Sequence, residues 1–110
     1  MQGKAEATEE AATFLIKDLC SQATAYAEAA INLVVTDHCW SMYIRLRSDI
    51  LSAIEEIEDD FYRDFCSFCA IEMLVRAKEI SFARTLYRRI KGHYVRRTVE
   101  HQYCWLLSCH

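Results

Sequence analysis

The sequence of 110 residues contains no proline and only two glycines, Gly3 and Gly92. Because β-rich folds need many turn residues, this scarcity argues against an all-β protein and favours long uninterrupted helices. No run of eighteen apolar residues is present, so we expect no membrane-spanning helix. The N-terminal residues lack a basic segment followed by an apolar core, so we expect no signal peptide.

Cysteine is abundant, with six residues in the chain. Without a signal peptide we do not expect a secreted disulfide framework, and we predict reduced thiols in a cytoplasmic or nuclear protein. Hydrophobic residues make up 53% of the sequence, which is enough for a packed core. We therefore predict a single domain over residues 1–110.

Hydrophobic periodicity predicts an all-α bundle of about four helices, which we expect to form a homodimer because a chain of this length buries only a small core. Residues 5–35 are predicted as the first helix. Its narrow apolar seam consists of Ile16, Leu19, Ala23, Tyr26, Ala30 and Leu33. After a break at residues 36–41, helices follow at 41–59 and 61–79, then a basic helix and a short one in the tail. A single helix over residues 61–91 is the alternative for the middle of the chain.

The two parts of the chain carry opposite charge. Residues 1–73 hold fourteen acidic and five basic residues, whereas residues 74–110 hold eight basic and two acidic ones. This asymmetry predicts an anionic partner for the basic part, or a self-association that pairs the two parts. The candidate RNA-binding residues are the basic ones of this second part: Arg76, Lys78, Arg84, Arg88, Arg89, Lys91, Arg96 and Arg97.

The basic segment also has an apolar side at helical spacing, which predicts a helix that packs through it. That side consists of Ile80, Ala83, Leu86, Tyr87, Ile90 and Tyr94. Arg84, Arg88 and Lys91 lie on another face, where they would contact phosphates. Ser81 is a candidate cap for this helix, and Gly92 is a candidate stop because glycine takes the left-handed conformation at little cost.

An acidic run at residues 55–60 suggests a different role for the basic segment. The arginines would then form a solvated face that pairs with this run. The run could also form a metal-binding or acid–base cluster, but paired carboxylates need burial to shift their pKa values for catalysis, and nothing in the sequence indicates such burial. We interpret the run as a solvated helix end or turn.

Two residue pairs suggest a structural zinc site. Cys66 and Cys69 are three residues apart, as are His101 and Cys104, so each pair projects from one helix face. Together they would supply the four thiolate and imidazole ligands that zinc requires. The alternative is that Cys66 and Cys69 are core residues, since buried cysteine behaves as a small hydrophobe. No protease signature and no glycine-rich phosphate loop is present, so we predict that the protein is not an enzyme.

Four blocks of sequence, taken in order, resemble the pre-coat protein of plant geminiviruses. They are LVVTDHCWSMY (33–43), ILSAIEEIE (50–58), LVRAK (74–78) and LYRRIKGHYV (86–95). The resemblance implies a small viral protein that suppresses host RNA silencing and assists virus spread. It also implies binding of RNA, or of the host cofactor of double-stranded RNA synthesis. The residues implied are Arg76, Lys78, Tyr87 and the neighbouring basic positions.

The expected partner is therefore double-stranded RNA or a host silencing protein, in the cytoplasm or nucleus of a host cell. Side chains cannot read the narrow major groove of A-form RNA, so a duplex would be recognised by its shape. A dimeric protein-interaction module without nucleic-acid binding is the alternative function. Its interface would use the large aromatic residues Trp40, Phe65, Phe68 and Trp105, since aromatics dominate interface energetics.

Overall fold

The computed structural model describes residues 2–32 and 37–105, with side chains from Thr8 onward. The described residues are all-α, as predicted, and they form five helices. These are α1 (Gln2–Asn32), α2 (Asp37–Glu55), α3 (Asp60–Arg76), α4 (Ile80–Arg89) and α5 (His93–Gln102). None of the described helices is both long enough and apolar enough to cross a lipid bilayer.

The core lies where α1 packs against α2 and α3, and α3 also carries α4 and α5 on its surface. Small residues of α1, Ala23 and Ala27, are fully buried and allow the neighbouring helices to approach closely. Tyr43 and Ile50 of α2 and Leu74 of α3 fill the space around them. The apolar seam predicted for the first helix is buried or half-buried through Ala30, and Leu33 lies outside the described residues.

Two helix boundaries differ from the prediction. The second helix begins at Asp37 and ends at Glu55, four residues before the predicted end. It ends there because the N–H groups of Glu56 and Ile57 turn back to carbonyl groups three residues earlier, each at 3.2 Å. Asp59 then starts α3, since its carboxylate accepts a hydrogen bond from the Tyr62 N–H at 3.1 Å.

The alternative of one helix over residues 61–91 is wrong, because the chain bends between α3 and α4. Lys78 takes a left-handed conformation with a φ of 66°. The N–H of Glu79 then donates to the Leu74 carbonyl at 2.8 Å. Glu79 precedes α4, and its carboxylate accepts hydrogen bonds from Tyr43 and from Arg47, the latter at 2.6 Å. Ser81 therefore lies inside α4 and does not cap it.

Gly92 does not end a helix in the left-handed conformation, contrary to the prediction. Its φ of −73° and ψ of 132° are extended, and it is the residue from which α5 starts. The buried carboxylate of Asp64 accepts hydrogen bonds from the Gly92 N–H at 2.8 Å and the Lys91 N–H at 3.3 Å. A Cβ atom at position 92 would lie 3.0 Å from that carboxylate, so glycine is favoured by the close approach of α3.

We expect Asp64→Ala to lower the free energy of unfolding by about 2–3 kcal/mol, because it leaves two backbone N–H groups without their charged acceptor. Urea denaturation of the two proteins measures the difference. Asp49→Ala is the matched control, since Asp49 is an exposed aspartate on α2. Equal losses of stability in both variants would contradict a structural role for the Asp64 carboxylate.

Candidate nucleic-acid interface

The apolar side predicted for the basic segment is largely correct for α4. Ala83, Leu86, Tyr87 and Ile90 are buried, and Ile80 is half-buried. The spacing predicts Tyr94 on the same face, but Tyr94 is 83% exposed. The reason is that α4 ends at Arg89 and α5 begins on a new axis at His93, so the helical spacing does not continue through the connection.

Five cationic side chains line one groove, which we call the cationic groove. It is formed by Arg63 of α3, Arg88 and Arg89 of α4, Lys91 of the connection and Arg96 of α5. The groove has a volume of about 790 Å³ and is open to solvent. The five cations come from three helices and a connection. Their positive charge is therefore brought together by the tertiary structure, and not only by their positions in the sequence.

The floor of the cationic groove is mostly apolar, and its walls carry one acid among the described residues. The buried lining residues are Ile54, Leu86 and Ile90 with the polar Ser67, and the acid is Glu55. An apolar floor excludes water from below and so strengthens the attraction between the cations and a bound anion. This arrangement suits an elongated anion with several phosphate groups.

Two of the groove arginines are held in place by backbone carbonyl groups. Arg63 donates to the Ile57 carbonyl at 3.2 Å and also to the Asp60 carboxylate. Arg96 donates to the Ile90 carbonyl at 3.3 Å, and its guanidinium lies 5.1 Å from the centre of the Tyr87 ring. Each guanidinium has five N–H donors, so both retain donors for a ligand.

Two other groove cations face the acidic run, as the alternative interpretation of the basic segment predicted. Arg89 lies 3.5 Å from Glu55, and Lys91 lies 4.0 Å from Asp60. All four side chains are more than 60% exposed. Ion pairs with this much exposure are each worth about 0–1 kcal/mol, so a phosphate can compete with the carboxylates for the cations. Arg88 makes no ion pair within the described residues.

The other four candidate RNA-binding residues lie outside the cationic groove. Arg76 ion-pairs with Glu28 at 3.2 Å and with Glu72 at 3.8 Å, at the end of α3 near α1. Lys78 lies beside Arg76 in the bend before α4. Arg84 is half-buried on α4, and Arg97 lies on α5 beside Phe68 and His101.

Arg63 was not predicted as a site residue. It lies next to the acidic run, eleven residues before the basic segment begins, and no sequence pattern connects it to that segment. It reaches the groove because α3 packs against α4 and because Asp64, the next residue, binds the connection that precedes α5.

The described residues do not bring the four candidate zinc ligands together. No group of three or more His, Cys, Asp or Glu residues within 2–32 and 37–105 is arranged to hold a metal ion. Cys66 is fully buried in the core on α3, whereas His101 and Cys104 are exposed. Burial raises the pKa of Cys66, and it raises the pKa of Cys69 to about 11 and of Cys20 to about 12.

Comparisons with known proteins do not assign a function to the cationic groove. No protein-family model, curated protein or solved structure matches the chain significantly. The role of the cationic groove is therefore argued from its own residues and their geometry.

We expect Cys20 and Cys66 to react with iodoacetamide at pH 7.5 at least about tenfold more slowly than Cys104, because the thiolate is the reactive species and both thiols are buried with raised pKa values. Peptide mass spectrometry after timed alkylation measures the three rates. The same reaction in urea is the control and should remove the difference. Equal rates in the folded protein would show that the packing of α1 against α3 does not shield these thiols.

Proposed function

We propose that this protein binds RNA through the cationic groove and so acts as a small viral suppressor of host RNA silencing. The observation that carries the proposal is the convergence of Arg63, Arg88, Arg89, Lys91 and Arg96 on one groove, in which Glu55 is the one acid among the described lining residues. Phosphate contacts supply most of the sequence-independent affinity of proteins for nucleic acids. A duplex RNA would be held by its backbone, with the groove cations on successive phosphates.

The suppressor role follows from the resemblance to geminivirus pre-coat proteins. The resembling block at residues 86–95 contains Arg88, Arg89 and Lys91, together with the floor residues Leu86 and Ile90. The block therefore spans the part of the chain that contributes most to the groove. Binding RNA would withhold it from the host silencing machinery, and the same surface would suit an acidic host silencing factor.

Arg88→Glu combined with Lys91→Glu should reduce the affinity for a blunt duplex RNA by roughly a hundredfold at low salt, since two attractive interactions with phosphates become repulsive. The plot of log affinity against log salt has a negative slope, and this slope should become shallower by about 1 for each phosphate that the variant no longer neutralises. Fluorescence anisotropy with a labelled duplex across a salt series measures both quantities.

Arg45→Glu is the matched control, because Arg45 is an exposed arginine of α2 that does not line the groove. It should leave the affinity within about twofold of the wild type. Far-UV circular dichroism confirms that each variant stays helical. Duplex binding that survives the Arg88 and Lys91 reversals would remove the cationic groove as the RNA site.

A dimeric protein-interaction module is the second candidate function, and one observation favours it. Phe14 is 64% exposed and Leu15 is 60% exposed, and the two are adjacent on α1. Of the aromatic residues predicted for such an interface, Trp40, Phe65 and Phe68 are half-buried, and Trp105 is exposed. A second copy of the chain that covers Phe14 and Leu15 would remove this apolar surface from water.

For this candidate we expect the wild-type mass in sedimentation equilibrium to rise towards twice the chain mass with concentration. Phe14→Glu with Leu15→Glu should keep the protein monomeric, because charge is costly to bury at an apolar interface. Gln22→Glu, an exposed change on the same helix, is the control and should leave association unchanged. A wild-type protein that stays monomeric up to high concentration would exclude this interface.

A further inference from the structure

Two exposed aromatic side chains line a second cleft next to the cationic groove. Phe61 is the second residue of α3 and is 63% exposed, and Tyr94 is the second residue of α5 and is 83% exposed. Both line a cleft of about 400 Å³ together with Lys91, Gly92, Val95, Asp60 and the buried Asp64. Burial of an aromatic ring is strongly favourable, so two such exposed rings in one cleft require an explanation.

Hydrogen bonds between α3 and the segment before α5 hold the backbone of Phe61 and the backbone of Tyr94 close to each other. Asp64 of α3 accepts hydrogen bonds from the N–H groups of Lys91 and Gly92, which directly precede α5. These hydrogen bonds to the buried Asp64 carboxylate hold the start of α5 against the N-terminal part of α3. The cleft between Phe61 and Tyr94 is therefore already formed in the protein without a ligand, which lowers the entropic cost of binding.

The ring of Phe61 remains available for stacking. Its contact with Tyr62 is edge-on, at 5.5 Å between ring centres and 75° between planes, and such a contact covers at most one face of Phe61. Flat aromatic ligands stack on exposed rings of this kind. Nucleic-acid bases do so without regard to sequence, because every base has a π-face.

Lys91 lines both the cleft and the cationic groove, so the two sites adjoin at this residue. A phosphate on Lys91 would lie directly beside a ring held in the cleft. Asp60 also lines the cleft, but it accepts a hydrogen bond from Arg63 and lies 4.0 Å from Lys91, so its negative charge is balanced. Asp64 is occupied by its two backbone donors.

We propose that the cleft between Phe61 and Tyr94 stacks an unpaired RNA base whose flanking phosphate lies on Lys91 in the cationic groove. This inference rests on the proposed function, and it specifies that the RNA carries an unpaired base. The preferred RNA carries an unpaired extension next to a duplex, because a paired base is stacked within its helix and cannot enter the cleft.

The test compares two duplex RNAs of identical sequence, one with blunt ends and one with an unpaired extension that contains 2-aminopurine. The wild-type protein should bind the extended RNA roughly tenfold more tightly than the blunt one, as stacking of one base provides. Stacking on a ring should also quench the fluorescence of 2-aminopurine when the protein is added.

Phe61→Leu and Tyr94→Leu keep an apolar side chain and remove the ring, so each should abolish most of the preference for the extended RNA and the quenching. Phe61→Tyr and Tyr94→Phe keep the ring and should retain both. Because positions 61 and 94 are exposed, we expect all four variants to fold, and urea denaturation confirms it.

The failures of the two proposals can be told apart. Equal wild-type affinities for blunt and extended RNA, without quenching, would overturn base stacking and leave RNA binding by the cationic groove in place. A preference and quenching that persist in both leucine variants would place the unpaired base elsewhere. No binding of either RNA at low salt would overturn both proposals and would favour a protein partner for the aromatic cleft.

Discussion

The buried carboxylate of Asp64 on α3 accepts hydrogen bonds from the two backbone N–H groups that precede α5. Most of the candidate site depends on these two hydrogen bonds. A carboxylate is costly to bury unless its oxygens are hydrogen-bonded, so the chain between α4 and α5 must pass directly over it. That path places Lys91 between the cationic groove and the aromatic cleft, and it brings Tyr94 to the same cleft as Phe61. Gly92 permits the approach because it has no Cβ atom.

The two oppositely charged parts of the chain form several ion pairs with each other in the folded protein. Arg47 pairs with Glu79 in a half-buried cluster that joins α2 to the start of α4, and Arg76 pairs with acids of α1 and α3. Among the groove cations, Arg89 and Lys91 make exposed pairs with the acidic run, whereas Arg63 is half-buried where it pairs with Asp60. Exposed pairs are weak and screened by salt, so the charges of Arg89 and Lys91 remain accessible to a ligand in the groove.

Much of the fold was predictable from the sequence, because helix formation depends on local periodicity. The absence of proline and the spacing of Ile16, Ala23 and Ala30 on one face are sufficient to predict α1 and its buried side. Helix ends were predicted less well. The bend at Lys78 depends on Glu79, whose side chain binds Tyr43 and Arg47 on another helix, and no local pattern reveals such a partner.

The sequence by itself determined that the protein is helical, which residues of α1 and α4 face the core, and that positive charge is concentrated after residue 74. Only the tertiary structure decided which cations act together, since it unites Arg88, Arg89, Lys91 and Arg96 with Arg63 and separates them from Arg76 and Lys78. It also decided that Tyr94 is exposed beside Phe61. The physical reason is that hydrophobic periodicity determines which residues share one face of a helix. Which faces of different helices come into contact depends on how the helices cross and on the buried contacts between them.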